Sequence, residues 1–484
     1  MFKKWMAFAL SIAMVITMLP VDAFAETTTF SDMPNDWSTN ALENAVKNGL
    51  LNGSNGKIMP KENLTRAQMA TVINRAFGAE NIASISKFTD VKASDWFFAE
   101  MSKAVAMKTF QGSGDKLNPN NPITREEAFV VIARALNLGK SDKVPTDFKD
   151  LGSISDWAQG EVFSLINNGY IQGANGKINP KGFITRAEFA QLMDNIIKGY
   201  ISNEGEYTLE VEGNLMINAP GVVLKESNVS GDLIIGDGVG NGEVTLEDVV
   251  VEGRLLVRGG GKDSIVIKGS STVGSITIAR IDGVVRVFAE DGTEIGEVIV
   301  DGSDDVIIEG TFTDIKVLAD ELTVWATDAQ LTNAVVEGNE SKIIIGENSI
   351  VDKLVVSGEK SEIQVLGTVK EIETTNTASD TKIVVSEGGS IEEINANGSG
   401  TQVEGEGTVT TVNANSNDIV VTVNGTKVVA AEGTTGVLAG DKEVIPGGNE
   451  VVGQTPPVVG GGGVYVPVSA ISVEPKELML KVDE

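Results

Sequence analysis

The chain of 484 residues contains no cysteine and no histidine. The first absence excludes a disulfide framework and a thiolate nucleophile. Together they exclude a histidine general base and a Cys/His metal site. Any catalysis would fall to carboxylates, Lys, Tyr or Ser. Long apolar runs are also missing, apart from one at the N-terminus. There Lys3 and Lys4 precede the apolar stretch Trp5–Leu19, and Ala23-Phe24-Ala25 forms an A-x-A cleavage site. This order reads as a signal peptide over residues 1–25. The alternative, an uncleaved anchor, suffers from a run that is short for a bilayer. The mature chain is expected to begin near Glu26, to be exported, and to have no membrane span.

Basic charge is scarce, but only in one part of the chain. Residues 26–200 carry 19 Lys/Arg and 19 Asp/Glu, whereas residues 201–484 carry 17 against 48. The net charge of -30 makes nucleic acid a poor partner. A neutral module can approach a polyanionic wall, while the acidic remainder is repelled from it and stays soluble.

What is present is a phrase repeated three times: Leu64-Thr-Arg-Ala-Gln68, Ile123-Thr-Arg-Glu-Glu127 and Ile184-Thr-Arg-Ala-Glu188, with the arginines 59 and 61 residues apart. A longer text recurs around each copy. It opens with aromatic-x-Asp (Phe30/Asp32, Phe88/Asp90, Phe148/Asp150) and continues with an Asp-Trp pair holding Trp37, Trp96 or Trp157. A short apolar-periodic helix follows, ended by Gly49 in the first copy. Then come a turn with Gly53, Gly112 or Gly173 and a proline, Pro60, Pro119 or Pro180. In the phrase itself, Thr65, Thr124 and Thr185 stand at helix N-cap positions, with Gln68, Glu127 and Glu188 three residues on. That is a capping box, and it accounts for these residues without a functional role. The arginine between them falls at the first helical position, where the helix dipole disfavours a cation. Two readings remain for it: an ion pair with a neighbouring carboxylate, or an anion site shared with free N–H groups of the helix start.

On these motifs residues 30–197 resemble three S-layer homology domains, divided as 26–85, 86–145 and 146–200. The resemblance implies an all-α pseudo-threefold bundle whose grooves bind a secondary, peptidoglycan-linked polysaccharide of a Gram-positive wall, often bearing pyruvate ketals. It carries polymer binding onto Arg66, Arg125 and Arg186 and the groove glycine onto Gly53, Gly112 and Gly173. Trp37, Trp96 and Trp157 join the candidate binding set as stacking residues, although burial as anchors of each first helix is the expected reading. The second copy departs from the pattern: Glu126 replaces Ala beside Arg125, and Lys108 stands where Gly49 and Gly169 stand elsewhere. A carboxylate next to Arg125 is expected to neutralise part of its groove.

Beyond Tyr200 the texture becomes β. Gly231-Asp-Leu-Ile-Ile235, Gly253-Arg-Leu-Leu-Val257, Gly274-Ser-Ile-Thr-Ile278 and Gly296-Glu-Val-Ile-Val300 recur at 22, 21 and 22 residues. A second strand set lies between them, and weaker copies continue to Val412. This period predicts a parallel β-solenoid over residues 201–445, with a β-sandwich array as the alternative. The stretch resembles right-handed parallel β-helices of exported bacterial proteins, some of which cleave or bind polysaccharides. Asp301, Asp304, Asp305 and Glu309 are typical of its acids, and solvated solenoid corners explain them more simply than catalysis or calcium ligation. No cofactor and no catalytic residue are assigned; structural calcium has no support, since the Gly-Gly-x-Gly-x-Asp repeat is missing. Residues 446–466 read as a Gly/Pro linker. Residues 467–484 resemble the opening strands of a bacterial immunoglobulin-like domain, inside which the chain is expected to stop.

The reading is a cell-surface protein held non-covalently at the wall or S-layer, displaying an acidic solenoid as a structural or adhesive module. Self-assembly and contact with glycans or other cells are its open roles. A wall-anchored polysaccharide lyase or glycoside hydrolase with a cleft on the solenoid is the alternative.

Overall fold

A computed structural model describes residues 30–453. The signal peptide expected at 1–25 and the immunoglobulin-like opening expected at 467–484 lie outside the described residues. Each repeat forms a short helix and a longer one: α1 (Thr39–Lys47) and α2 (Arg66–Phe77), α3 (Phe98–Ala106) and α4 (Arg125–Ala135), α5 (Gln159–Asn167) and α6 (Arg186–Ile196). All three capping boxes are made. The threonine hydroxyl accepts from the N–H three residues on, and the Gln68, Glu127 or Glu188 side chain accepts from the threonine N–H.

The apolar residue before each threonine closes the bundle. Leu64 N–H donates to Ile184 O, Ile184 to Ile123 O, and Ile123 to Leu64 O, at 3.0, 3.2 and 3.0 Å. All three side chains are buried. Around this ring α2 packs on α3, α4 on α5 and α6 on α1, so each short helix rests on the preceding long one and the third repeat meets the first. The aromatic-x-Asp opening is structural. Asp32 accepts from the Ile58 and Met59 N–H groups, Asp90 from Leu117 and Asn118, and Asp150 from Ile178 and Asn179. Each carboxylate thereby holds a left-handed residue, with φ of 56° at Met59, 53° at Asn118 and 50° at Asn179. Lys108 adopts the left-handed conformation, φ 59°, that Gly49 and Gly169 adopt in the other copies.

The solenoid starts earlier than the sequence suggests. Helix α6 ends at Ile196, and Ile197–Ile201 is already a strand of the first coil. From there about 12 turns stack through parallel pairing. One inward column runs Leu215, Leu233, Leu255, Ile276, Val298, Ile315, Ala334, Leu354, Ile372, Ile394, Val412, Val428, each residue in register with the next. All are buried, so the 20-residue period is the stacking repeat of one continuous core. Corners also use a feature not foreseen from sequence, a column of buried hydroxyls. Ser361, Thr381 and Thr401 each donate to the carbonyl three residues back in the turn, and Ser341 donates to Ala319 O of the preceding coil. At the far end Asn449–Val451 pairs antiparallel with Lys427–Val429, which covers the last sheet edge. The expected linker therefore does not begin at Pro446.

The helical bundle and the solenoid share a core. Met216, Ile234, Leu256 and Ala279 project from the first coils into the apolar cluster of the bundle. Arg254 donates to the Leu136 and Asn137 carbonyls just past α4, and Asn218 to the Ala76 carbonyl of α2. Cations and amides thus meet the unpaired carbonyls of helix C-termini. Because α2 and α4 touch the solenoid with their C-terminal ends and α6 continues into it, the arginines at the helix starts lie at the far end of the bundle.

Candidate functional site

Each phrase arginine reaches from one repeat into the next. Arg66 Nε donates to Leu117 O at 2.8 Å, Arg125 Nε to Ile178 O at 2.6 Å, and Arg186 Nε to Ile58 O at 2.8 Å. Burial pushes the guanidinium pKa of Arg66 and of Arg186 down, with nearby carboxylates opposing it. The helix-start N–H groups beside them are not free. Those of Arg66 and Ala67 donate to Asn121 O and Pro119 O, those of Arg125 and Glu126 to Gly182 O and Pro180 O, and those of Arg186 and Ala187 to Glu62 O and Pro60 O. The reading in which the arginine shares an anion with free helix-start N–H groups is therefore corrected: these donors hold the repeats together.

Of the two readings for the arginine, the ion pair is present in two copies. Arg66 Nη1 lies 2.8 Å from Glu127 Oε1, and Arg125 Nη1 lies 2.8 Å from Glu188 Oε1. The carboxylate comes from the capping box of the next repeat, whose second oxygen caps its own helix. Sequence reasoning assigned these glutamates a cap alone. In the third position the capping residue is Gln68, and among the described residues no carboxylate lies within ion-pair distance of Arg186. Its Nη2 donates instead to Asn52 O at 2.7 Å.

Two inter-repeat grooves hold a phrase arginine. The first, about 820 Å³, brings Arg66 and Glu127 together with Gly112 and Trp157. The second, about 460 Å³, brings Arg125 and Glu188 together with Gly173 and Trp37. Each groove therefore takes an arginine, a glycine turn and a tryptophan from three different repeats. Arg186 reaches the turn that holds Gly53 through its bond to Asn52 O, which is the corresponding third position. Two expectations are corrected. The tryptophans are not buried anchors: Trp37, Trp96 and Trp157 are 61%, 64% and 53% exposed. Glu126 does not neutralise the Arg125 groove, because it is buried on another side, accepting from Ser155 and pairing with Lys181 at 2.7 Å. In that groove the Arg125–Glu188 contact is too poorly aligned for a hydrogen bond, which leaves Arg125 Nη1 a buried donor without one.

The glycines have a structural cause. A Cβ at Gly53 would lie 2.0 Å from Phe30 Cε1, at Gly112 2.2 Å from Phe88 Cε1, and at Gly173 2.6 Å from Phe148 Cε1. The aromatic of each repeat's opening motif thus demands the glycine of its turn, whatever binds beside it.

On the solenoid, the acids singled out from sequence are engaged locally. Asp304 accepts from the Gly283 N–H, Asp305 from the Thr323 N–H and Asp301 from Asn137, while Glu309 pairs with Arg286 at 2.7 Å. No group of three or more acidic residues placed to hold a metal occurs among the described residues. No helix among them is long and apolar enough to cross a membrane.

The family model of the S-layer homology domain matches residues 29–70, 87–129 and 147–190. A surface-layer 125 kDa protein of Lysinibacillus sphaericus is 27% identical over 67% of this chain and 27% of its own length. The middle cell wall protein of Brevibacillus brevis is 27% identical over 66% of the chain and 30% of its own. An exoglucanase of Acetivibrio thermocellus is 29% identical over 38% of the chain and 18% of its own. The chain thus spans less than a third of each of these relatives. The surface-protein matches run on past the helical bundle, whereas hydrolase relatives match only the S-layer homology region. With the ring, capping boxes and grooves in place, the chain is a cell-surface protein of Gram-positive type that carries three S-layer homology domains, modules of wall anchoring, followed by a parallel β-solenoid.

Proposed function

We propose that the three inter-repeat positions bind a secondary, peptidoglycan-linked wall polysaccharide, pyruvylated or otherwise anionic, and so hold the solenoid outside the wall as a structural or adhesive module rather than as an enzyme. The observation that carries this is the pairing, in one groove, of a buried guanidinium donor with an exposed indole from another repeat. Arg125 and Trp37, which line one groove, are the clearest case. An arginine supplies charge-assisted hydrogen bonds to a carboxylate, and an indole face supplies the apolar surface on which a sugar ring stacks. Arg66 with Trp157 repeats the combination, and by the threefold repetition of the sequence Arg186 would be matched with Trp96. Several such contacts on one rigid bundle gain avidity on a polymer of repeating units. The arginines sit at the end of the bundle remote from the solenoid, an orientation that suits a wall below and a displayed module above.

The test is co-sedimentation of the full chain with purified sacculi retaining their polysaccharide. The exposed tryptophans can be changed with little risk to folding. Trp37→Ala, Trp96→Ala and Trp157→Ala together are expected to abolish sedimentation while the melting temperature is kept. Arg66→Gln, Arg125→Gln and Arg186→Gln together should also abolish sedimentation, with a lower melting temperature because each loses its bond to a carbonyl of the next repeat. Undiminished sedimentation of both variants would exclude the grooves as the binding site.

A further inference from the structure

Glu161 is the most anomalous charge in the helical bundle. It is 5% exposed, its Oε2 has no hydrogen-bond partner, and it faces the Arg66 groove. Its Oε1 lies 3.8 Å from Arg134 Nη2 and 3.9 Å from Lys140 Nζ, beyond hydrogen-bond reach of either. The first turn of α5 offsets part of the burial through its dipole. A buried carboxylate with no hydrogen bond is nonetheless costly, and such acceptors are normally satisfied. The other repeats do not share the arrangement. The matching position five residues after the Asp of the Asp-Trp pair is Ala41 in the first repeat. In the second it is Glu100, which accepts from Asn74 Nδ2 at 2.8 Å.

The geometry adds a second point. Along α4 the Arg66 partner Glu127 and the Glu161 partner Arg134 are separated by seven positions, a rise of about 10 Å. One sugar ring does not span that distance, whereas two linked rings do. Trp157 stands in the same groove. Resting on the proposed role of the grooves, we infer that the Arg66 groove carries a second subsite, formed by Glu161, Arg134 and Lys140, that holds the neighbouring unit of an anionic glycan. Ring hydroxyls donate to the Glu161 carboxylate, which makes no hydrogen bond among the described residues, and an anionic substituent lies against Arg134 and Lys140. The Arg125 groove, lined by Arg125 and Glu188, lacks this combination of cations and a carboxylate with an unused acceptor, so of these two grooves the Arg66 groove reads two units of the polymer.

The probe is the wall polysaccharide released from sacculi and cut into fragments of one repeating unit and of two or more. Binding to the full chain is followed by fluorescence in a Trp5→Phe, Trp37→Phe, Trp96→Phe, Trp325→Phe background, in which Trp157 is the remaining tryptophan and reports this groove. The expected result is a preference for the longer fragment that falls about tenfold in Glu161→Gln, the loss of one hydrogen bond to a charged group. Lys140→Ala guards against misfolding, since the Lys140 side chain is 71% exposed, and it should reduce the same ratio. A length preference unchanged in both variants overturns the second subsite. Failure of the underlying reading looks different: there Arg66→Gln would leave the binding of both fragments intact.

Discussion

Glu127→Gln separates the two tasks of one side chain. In the wild type one oxygen caps α4 and the other faces Arg66 at 2.8 Å. Glutamine preserves the cap, as Gln68 does at the start of α2 by accepting from the Thr65 N–H. What is lost is the charge opposite Arg66. The pair is partly open, with side-chain exposures of 14% and 29%. At an effective dielectric constant of 20, charges 4 Å apart attract by about 4 kcal/mol. Desolvation of both groups cancels most of that, and breaking a partly exposed pair costs about 1 kcal/mol. Arg66 keeps its bond to the Leu117 carbonyl. The melting temperature should fall by about 2–4 °C per kcal/mol for a body of this size. Binding should move the other way. With its counter-ion gone, Arg66 offers a full charge to an anionic ligand, which no longer competes with Glu127. Affinity of released wall polysaccharide for the Arg66 groove should rise several-fold, about 1 kcal/mol. Differential scanning calorimetry and isothermal titration calorimetry read the two quantities. If stability and affinity fall together, Glu127 takes part in binding and the counter-ion reasoning is refuted.

Other outcomes follow from contacts elsewhere in the molecule. Gly112→Ala drives a Cβ to 2.2 Å from Phe88 Cε1 and should cost about 1–3 kcal/mol in thermal unfolding; an unchanged melting point would remove the packing explanation of the groove glycines. At Asp32 desolvation raises the carboxyl pKa, but bonds from the Ile58 and Met59 N–H groups outweigh it and hold the pKa below the usual range. A depressed folded pKa means that its stabilisation is present above about pH 3.9 and is lost as pH falls through the folded value. Asp32→Asn should therefore flatten the acid limb of the stability curve, and an unaltered limb would contradict this. Ile394→Ala opens a cavity in the solenoid core at a cost of about 2–5 kcal/mol. Because coils contact only their neighbours, hydrogen exchange should rise around Ile372 and Val412 and not in α1–α6. Arg254→Ala should raise exchange at the end of α4, where the Leu136 and Asn137 carbonyls lose their donor; unchanged exchange there would mean that the bundle and solenoid are joined by apolar packing alone.

The sequence by itself determined what local interactions decide. A capping box acts over three residues, so the starts of α2, α4 and α6 could be read from Thr and Gln/Glu alone. The coil period could likewise be read from Gly and Val/Ile spacing, because each turn repeats the same inward positions. Contacts between repeats obey no such spacing, and there tertiary structure decided. It gave Glu127 and Glu188 their second task as counter-ions of arginines some 60 residues away. It turned Glu126 from the groove toward Lys181, and it left the tryptophans at the surface although their apolar area suggested burial. It bonded the helix-start N–H groups of one repeat to carbonyls of the next. It also isolated Glu161, whose single letter in a short helix carries no sign that its carboxylate is buried without a hydrogen bond. The helices are thus written in neighbouring residues. The grooves exist only where three copies close on one another around Leu64, Ile123 and Ile184, since no repeat alone contains an arginine, the turn it reaches and the tryptophan opposite.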